Sequence, residues 1–134
     1  MAYSNFSDER LFLDEGVNIV LNRIYEELEE SFPGLTLNDE LCITGTLAKI
    51  IQGDPAQEIE VVPFITDNEN IFSYSYEKLP VLLYKARAVR FKDRVQINLP
   101  NVLIEVWKTD DIGTVNVVTG IAVQDPADIP ANIK

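Results

Sequence analysis

The residues of this chain that could do chemistry are mostly oxygen donors. Gly45 and Thr46 end the run Ile43-Thr44-Gly45-Thr46, and eleven residues separate Thr46 from the pair Glu58 and Glu60. A third carboxylate, Glu105, sits inside Val102-Leu103-Ile104-Glu105-Val106-Trp107. A glycine and a hydroxyl residue after a short apolar run can open a helix and hold a phosphate on backbone N–H groups. Carboxylates at i and i+2 of a strand point to one face. A third from a neighbouring strand completes an oxygen cage for Mg2+. That arrangement would serve metal-assisted phosphoryl transfer, in which the ions align the attacking oxygen and neutralise a polyphosphate. The candidates are Glu58, Glu60 and Glu105 as catalytic, metal-holding residues and Gly45 and Thr46 for phosphate. An alternating strand with one wet face gives the same acidic–apolar–acidic pattern without any site.

Other chemistries are excluded. The chain has no histidine, which removes the commonest general base and transition-metal ligand and every Ser–His or Cys–His pair. Cys42 is the single cysteine, so no intrachain disulfide or thiolate zinc site can form. Its neighbours in Leu41-Cys42-Ile43 make it a buried, inert thiol.

The elements that must position these residues follow from hydrophobic period. Ser7 or Asp8 can cap a first helix. Leu13, Val17, Val20, Leu21, Ile24 and Leu28 then form one helical stripe, opposite Arg23, Glu26, Glu29 and Glu30. Ser31-Phe32-Pro33-Gly34 stops it, so the helix is predicted from about Ser7 to Glu30. Leu41–Thr44 reads as a short strand and Thr46–Ile51 as a short helix ended by Gln52-Gly53-Asp54-Pro55. Glu58–Ile65 reads as a strand with Ile59, Val61 and Ile65 on one face and Glu58, Glu60, Val62 and Phe64 on the other. Pro63 places that strand at an edge or a bulge. Asp67–Asn70 reads as a loop, and Ile71–Tyr84 is ambiguous.

Three strands follow at 86–91, 94–99 and 101–108, with Lys92-Asp93 and Pro100-Asn101 as turns. Residues 114–123 form one β-rich run. Arg87, Arg90, Lys92 and Arg94 are a basic cluster on the hairpin; three of them share a parity that suits a phosphate or an acidic partner, or simply a wet face. A single α+β domain over 1–124 is expected, with 125–134, containing Pro126 and Pro130, as an extended tail that either docks on another subunit or partner or is a simple frayed terminus.

At 134 residues the chain is one domain long and able to bury a core. Net charge is −11, from 22 acidic against 11 basic residues. Such a chain is repelled by nucleic-acid backbone and anionic lipid, and attracts a basic protein partner. No apolar run approaches the ~20 residues of a membrane-spanning helix. The N-terminal residues lack a signal-peptide pattern. The reading is a soluble cytoplasmic protein, or part of a particle assembled in the cytoplasm.

The Gly45-Thr46 pair, the Glu58-Ile59-Glu60 strand and strand-borne Glu105 together resemble the core signature of the polymerase-β-type nucleotidyltransferase fold over about 41–108. The resemblance implies an α+β fold, with the N-terminal helix packed on a mixed, mostly antiparallel sheet and a β-rich C-terminal half. It also implies a metal site at the three acidic positions. In that family the glycine is followed by serine and the acids are Asp; here all three are Glu. Each added methylene disturbs the octahedron Mg2+ demands, so the chain is expected to keep the scaffold without efficient chemistry. Three functions compete. One is a non-catalytic binding or assembly protein needing no cofactor, such as a structural component of a viral or phage particle. The second is a Mg2+-dependent nucleotidyltransferase or an antitoxin-like relative of one. The third is a plain structural domain with no site.

Overall fold

The computed structural model describes residues 15–55, 57–83, 85–100, 102–118 and 120–133, with side chains from residue 19 onward. The part of the first helix expected at 7–14, and the side chain of Val17, lie outside the described residues. Helix α1 spans Glu15–Ser31 and buries Leu21, Ile24 and Leu28 as its stripe requires. Tyr25, outside the expected stripe, is also buried and meets Phe64 edge-on at 5.9 Å between ring centroids. Phe32 N–H still reaches the Leu28 carbonyl at 2.9 Å before the chain turns.

A one-turn helix α2 (Leu37–Glu40) leads into β1 (Cys42–Ile43) and α3 (Gly45–Ile51). Strand β2 is Val61–Thr66. The ambiguous segment is helical: α4 (Glu69–Glu77) and α5 (Leu79–Leu82). The stretch expected as a loop starts α4, because the Asn68 side chain accepts the Asn70 and Ile71 N–H groups and caps it. Strands β3 (Arg87–Arg90), β4 (Arg94–Asn98) and β5 (Leu103–Lys108) follow as expected. The single run at 114–123 is two strands, β6 (Val115–Val118) and β7 (Ile121–Gln124), folded back at Gly120.

The seven strands form one sheet in the order β3-β4-β5-β2-β1-β7-β6. The β5–β2 and β1–β7 pairs are parallel and the others antiparallel. The fold is thus α+β with a mixed, mostly antiparallel sheet. Period-two alternation divides its faces. Ile43, Val62, Phe64, Val95, Ile97, Ile104, Val106, Ile121 and Val123 share the main core with Leu21, Ile24, Leu47 and Ile71 from the helices. The other face carries Cys42, Ile65, Trp107 and Ala122 in a second, smaller cluster.

Pro63 is expected to place β2 at an edge or a bulge; β2 is not an edge strand but lies between β1 and β5. Its carbonyl accepts the Thr44 N–H at 3.0 Å. The return bond that proline cannot give would go to the Thr44 carbonyl, and that group accepts the Ala48 N–H of α3 at 3.3 Å instead. A strand neighbour only two residues long leaves no orphan for the missing N–H to create.

The C-terminal segment also differs from expectation. It is neither extended nor poor in contacts with its own domain. Pro126–Asp128 is a 3-10 turn capped by the Asp125 side chain on Ala127 N–H. The Asp128 carboxylate accepts the Thr114 N–H at 2.8 Å, and Ile133 is buried in the smaller cluster. At Gly113, φ is +74° and a Cβ would stand 2.6 Å from Asp128 Cγ, so glycine alone allows the approach. Two isoleucines and a buried amide, Gln124, which donates to the Asp128 carbonyl at 3.0 Å, hold the segment on the sheet.

Candidate functional site

Glu105 lies in the middle of β5, level with Pro63 of β2 and Gln96 of β4. Its position alternates with core residues Ile104 and Val106, so it belongs to the face away from the helices. Trp107, two residues on, shares that face, and Arg94 stands opposite Trp107 across the β4–β5 ladder. Glu105 is only 8% exposed. Gln96 Nε2 donates to its Oε2 at 2.8 Å, Trp107 Nε1 donates to its Oε1 at 3.3 Å, and Arg94 Nε stands 3.7 Å from Oε2. The Arg94 guanidinium lies 4.3 Å from the Phe91 ring centroid and 4.9 Å from that of Trp107. A buried carboxylate with a cation and donors on both oxygens is electrostatically complete. Val61, Asp93, Arg94, Glu105, Trp107 and Asn132 line an open groove of about 350 Å3 beside it.

Glu58 and Glu60 do not join this constellation. Both are exposed in the irregular stretch ahead of β2, which begins at Val61 rather than Glu58. The Glu60 carbonyl accepts the Leu103 N–H at 2.9 Å, so the backbone reaches the sheet there. Ile59, between the two acids, packs on the same core as Val62 and Phe64, so the alternation of β2 does not extend back through this stretch. The β2 residues that share the face of Glu105 are Val61, Pro63 and Ile65, and none of these side chains carries an oxygen donor. Among the described residues no group of three or more His, Cys, Asp or Glu side chains is placed to hold a metal ion. The residues present therefore do not suit the Mg2+ that the resemblance implies. One carboxylate is engaged by arginine, and the other two are exposed ahead of β2.

Gly45 opens α3, with φ +65°, and is buried, while Thr46 is half-buried. The polar groups around this turn serve the fold. Thr44 Oγ1 donates to Gln124 Oε1 rather than capping the helix. Gln124 Nε2 donates to the Ile112 and Asp128 carbonyls, and Gln52 Nε2 donates to the Gln124 carbonyl at 2.8 Å. Cys42 is buried as expected, and desolvation, with Asp67 adding to it, pushes its thiol up to about 12.

The basic cluster is split by its turn. Phe91 N–H bonds to the Arg94 carbonyl at 2.8 Å, closing a hairpin on Lys92-Asp93. Arg90 then pairs with Val95 and faces the helices, over the Phe72 ring, while Arg94 faces the other way. Equal parity across a two-residue turn does not place these side chains on one face.

Sequence reading missed Gln96, Arg94 and Trp107 as the partners of Glu105. The signal was present. A turn at Pro100-Asn101 sets Leu99 opposite Val102, and counting back along the ladder sets Gln96 opposite Glu105.

The chain is similar in fold to the crystal structure of a "putative nucleotidyltransferase" from Thermotoga maritima, with 12% sequence identity and a TM-score of 0.50. The likeness covers 81% of this chain and 80% of that one. It establishes a nucleotidyltransferase-like α+β fold and, at this identity, the fold alone. No protein-family model matches the chain, and no curated protein matches it. Among the described residues no helix is long and apolar enough to cross a membrane.

Proposed function

We propose that this chain is a non-catalytic binding or assembly protein built on a nucleotidyltransferase-like scaffold. The observation that carries the reading is the state of Glu105. Its carboxylate is engaged by Arg94, Gln96 and Trp107, and the facing β2 positions are Val61 and Pro63. A divalent ion at this face would have to displace a guanidinium already held between two aromatic rings, and would gain one carboxylate in return. Mg2+ usually takes one or two carboxylates plus substrate phosphates in octahedral order, and a face with one committed carboxylate supports that poorly. The acidic net charge favours a protein partner or another copy over direct nucleic-acid contact. A subunit of a larger structural particle, of the viral or phage kind, is one form such a protein would take.

The fold likeness to a protein named a "putative nucleotidyltransferase" favours the second reading, a Mg2+-dependent nucleotidyltransferase using Glu58, Glu60 and Glu105, with Gly45 and Thr46 on phosphate. The experiment is transfer from each labelled nucleoside triphosphate with Mg2+ or Mn2+. Self-transfer and a mixture of acceptor RNAs and proteins are both included. No label transfer is expected. Transfer that Glu105→Gln or Glu60→Gln abolishes would overturn the proposal and install the enzymatic reading.

A further inference from the structure

The two edges of the sheet carry opposite charge. The hairpin side, residues 78–94, holds Lys78, Lys85, Arg87, Arg90, Lys92 and Arg94 and one acid, Asp93; Arg90 also lies 3.7 Å from Glu69 and Arg94 3.7 Å from Glu105. The other side, residues 109–133, holds Asp110, Asp111, Asp125 and Asp128, with Lys108 and Lys134 flanking it in sequence and Lys108 3.7 Å from Asp110. These segments contain β3 and β6, the two ends of the strand order. Each edge also exposes apolar side chains on the face away from the helices. Val89 is 46% and Phe91 39% exposed on one edge, and Val115 is 38% and Val117 62% exposed on the other.

Backbone geometry matches the two edges. In the β3–β4 ladder the Phe91–Arg94 bond sets the alternation, so residues 87, 89 and 91 bond inward and Ala88 and Arg90 turn N–H and C=O outward. In the β6–β7 ladder the bond from Asp125 N–H to the Thr114 carbonyl does the same, turning Val115 and Val117 outward. Following the pairings across the sheet, β3 and β6 run in the same direction.

We infer that the sheet continues from copy to copy, with β3 of one molecule pairing in parallel with β6 of the next. Because both strands point the same way, a second copy placed beside the first keeps its open face on the same side. Val89 and Phe91 then lie next to Val115 and Val117, and the cationic edge meets the acidic one. The contact is head-to-tail, so it does not close at two molecules. It produces a ring or an open filament. Pairing of β3 with a second β3 is opposed by Arg87 and Arg90, since like charges across a ladder are destabilising. The same cations that guard this edge against itself therefore admit the acidic edge. The inference goes beyond the non-catalytic reading and does not depend on it: an active enzyme would assemble equally well, so the transfer assay and the assembly assay fail separately.

The test uses the full chain in sedimentation velocity and light scattering over a range of concentration and salt. Species larger than dimers are expected to grow with concentration and to shrink as salt screens the exposed charges. Val89→Glu sets an acid against the acidic edge, and Val117→Lys sets a cation against the cationic one. Each variant alone is expected to be monomeric, and an equimolar mixture is expected to associate again. Circular dichroism confirms folding, and Arg87→Glu and Val115→Lys replace either variant that does not fold. A wild-type monomer at every soluble concentration overturns the inference. So does a dimer that only one of the two variants abolishes, which would mean a two-fold β3–β3 or β6–β6 contact.

Discussion

Replacing Glu105 by glutamine separates a structural carboxylate from a metal ligand. The substitution keeps the size of the side chain and one carbonyl oxygen, so it leaves no cavity. It removes the charge that Arg94 Nε faces at 3.7 Å and turns an amide N–H2 toward Gln96 or Trp107, which are themselves donors. Truncating one partner of a fully buried pair costs ~3–5 kcal/mol. Hydrogen bonds to a charged group are worth ~1.5–3 kcal/mol each. The Arg94 side chain is 27% exposed, so water recovers part of its solvation when Glu105 is gone. The expected loss is therefore about 2 kcal/mol. Urea unfolding followed by Trp107 fluorescence reads this as a lower midpoint at unchanged slope. Mg2+ should change neither protein. In a cycle with Arg94→Met, the second substitution should cost less in the Glu105→Gln background than in wild type. A variant as stable as wild type, together with Mg2+ that raises the wild-type midpoint alone, would refute the ion-pair account and make Glu105 a cation ligand.

Two more outcomes follow from burial. Cys42 is 2% exposed and its thiol is pushed up from 9.0 to about 12, so the unfolded chain loses that proton first. Its stability contribution is whole below about pH 9 and is lost as pH rises toward 12, at up to ~1.4 kcal/mol per unit, and Cys42→Ala should flatten that alkaline fall in a pH series of unfolding midpoints. Truncation after Gln124 removes buried Ile133 and the Asp128 bond to Thr114 N–H, so it should destabilise the domain by ~3–5 kcal/mol in urea unfolding; unchanged stability would restore the tail to a partner-docking role.

What could be read from the sequence depended on how locally each element is specified. The α1 stripe, the opening of α3 at Gly45 and the hairpin closed by Lys92-Asp93 each follow from residues within a few positions of one another, and each is present. Helices α4 and α5 were not legible. Their apolar residues, Ile71, Phe72, Tyr74 and Leu79, are interleaved with serines and interrupted at Pro80, so no single period dominates. The decisive cue there is a cap, Asn68, inside a stretch whose composition reads as loop. The tail was misjudged for another reason. Its anchorage comes from Gln124, Thr114 and Gly113, residues outside it that no count of its own apolar side chains includes.

Register explains how the charge of Glu105 is met within the protein. Because β2 starts at Val61 rather than Glu58, the two acids lie ahead of the strand and its alternation does not place them beside Glu105. Within the strand itself residues 61 and 103, and 63 and 105, stand side by side, so no acid of β2 neighbours Glu105. Once Glu105 faces Pro63 and Val61, its charge needs a counter-charge from elsewhere, because an isolated buried carboxylate is costly. The neighbour on the other side supplies it: β4 presents Gln96 directly opposite and Arg94 one step along the same face. Turning this face into a cation site would therefore take new carboxylates at 61 and 63 and also the removal of Arg94. Any one of those changes alone leaves an unpaired charge. A single acid at 63 would recruit the same arginine before it recruited a metal.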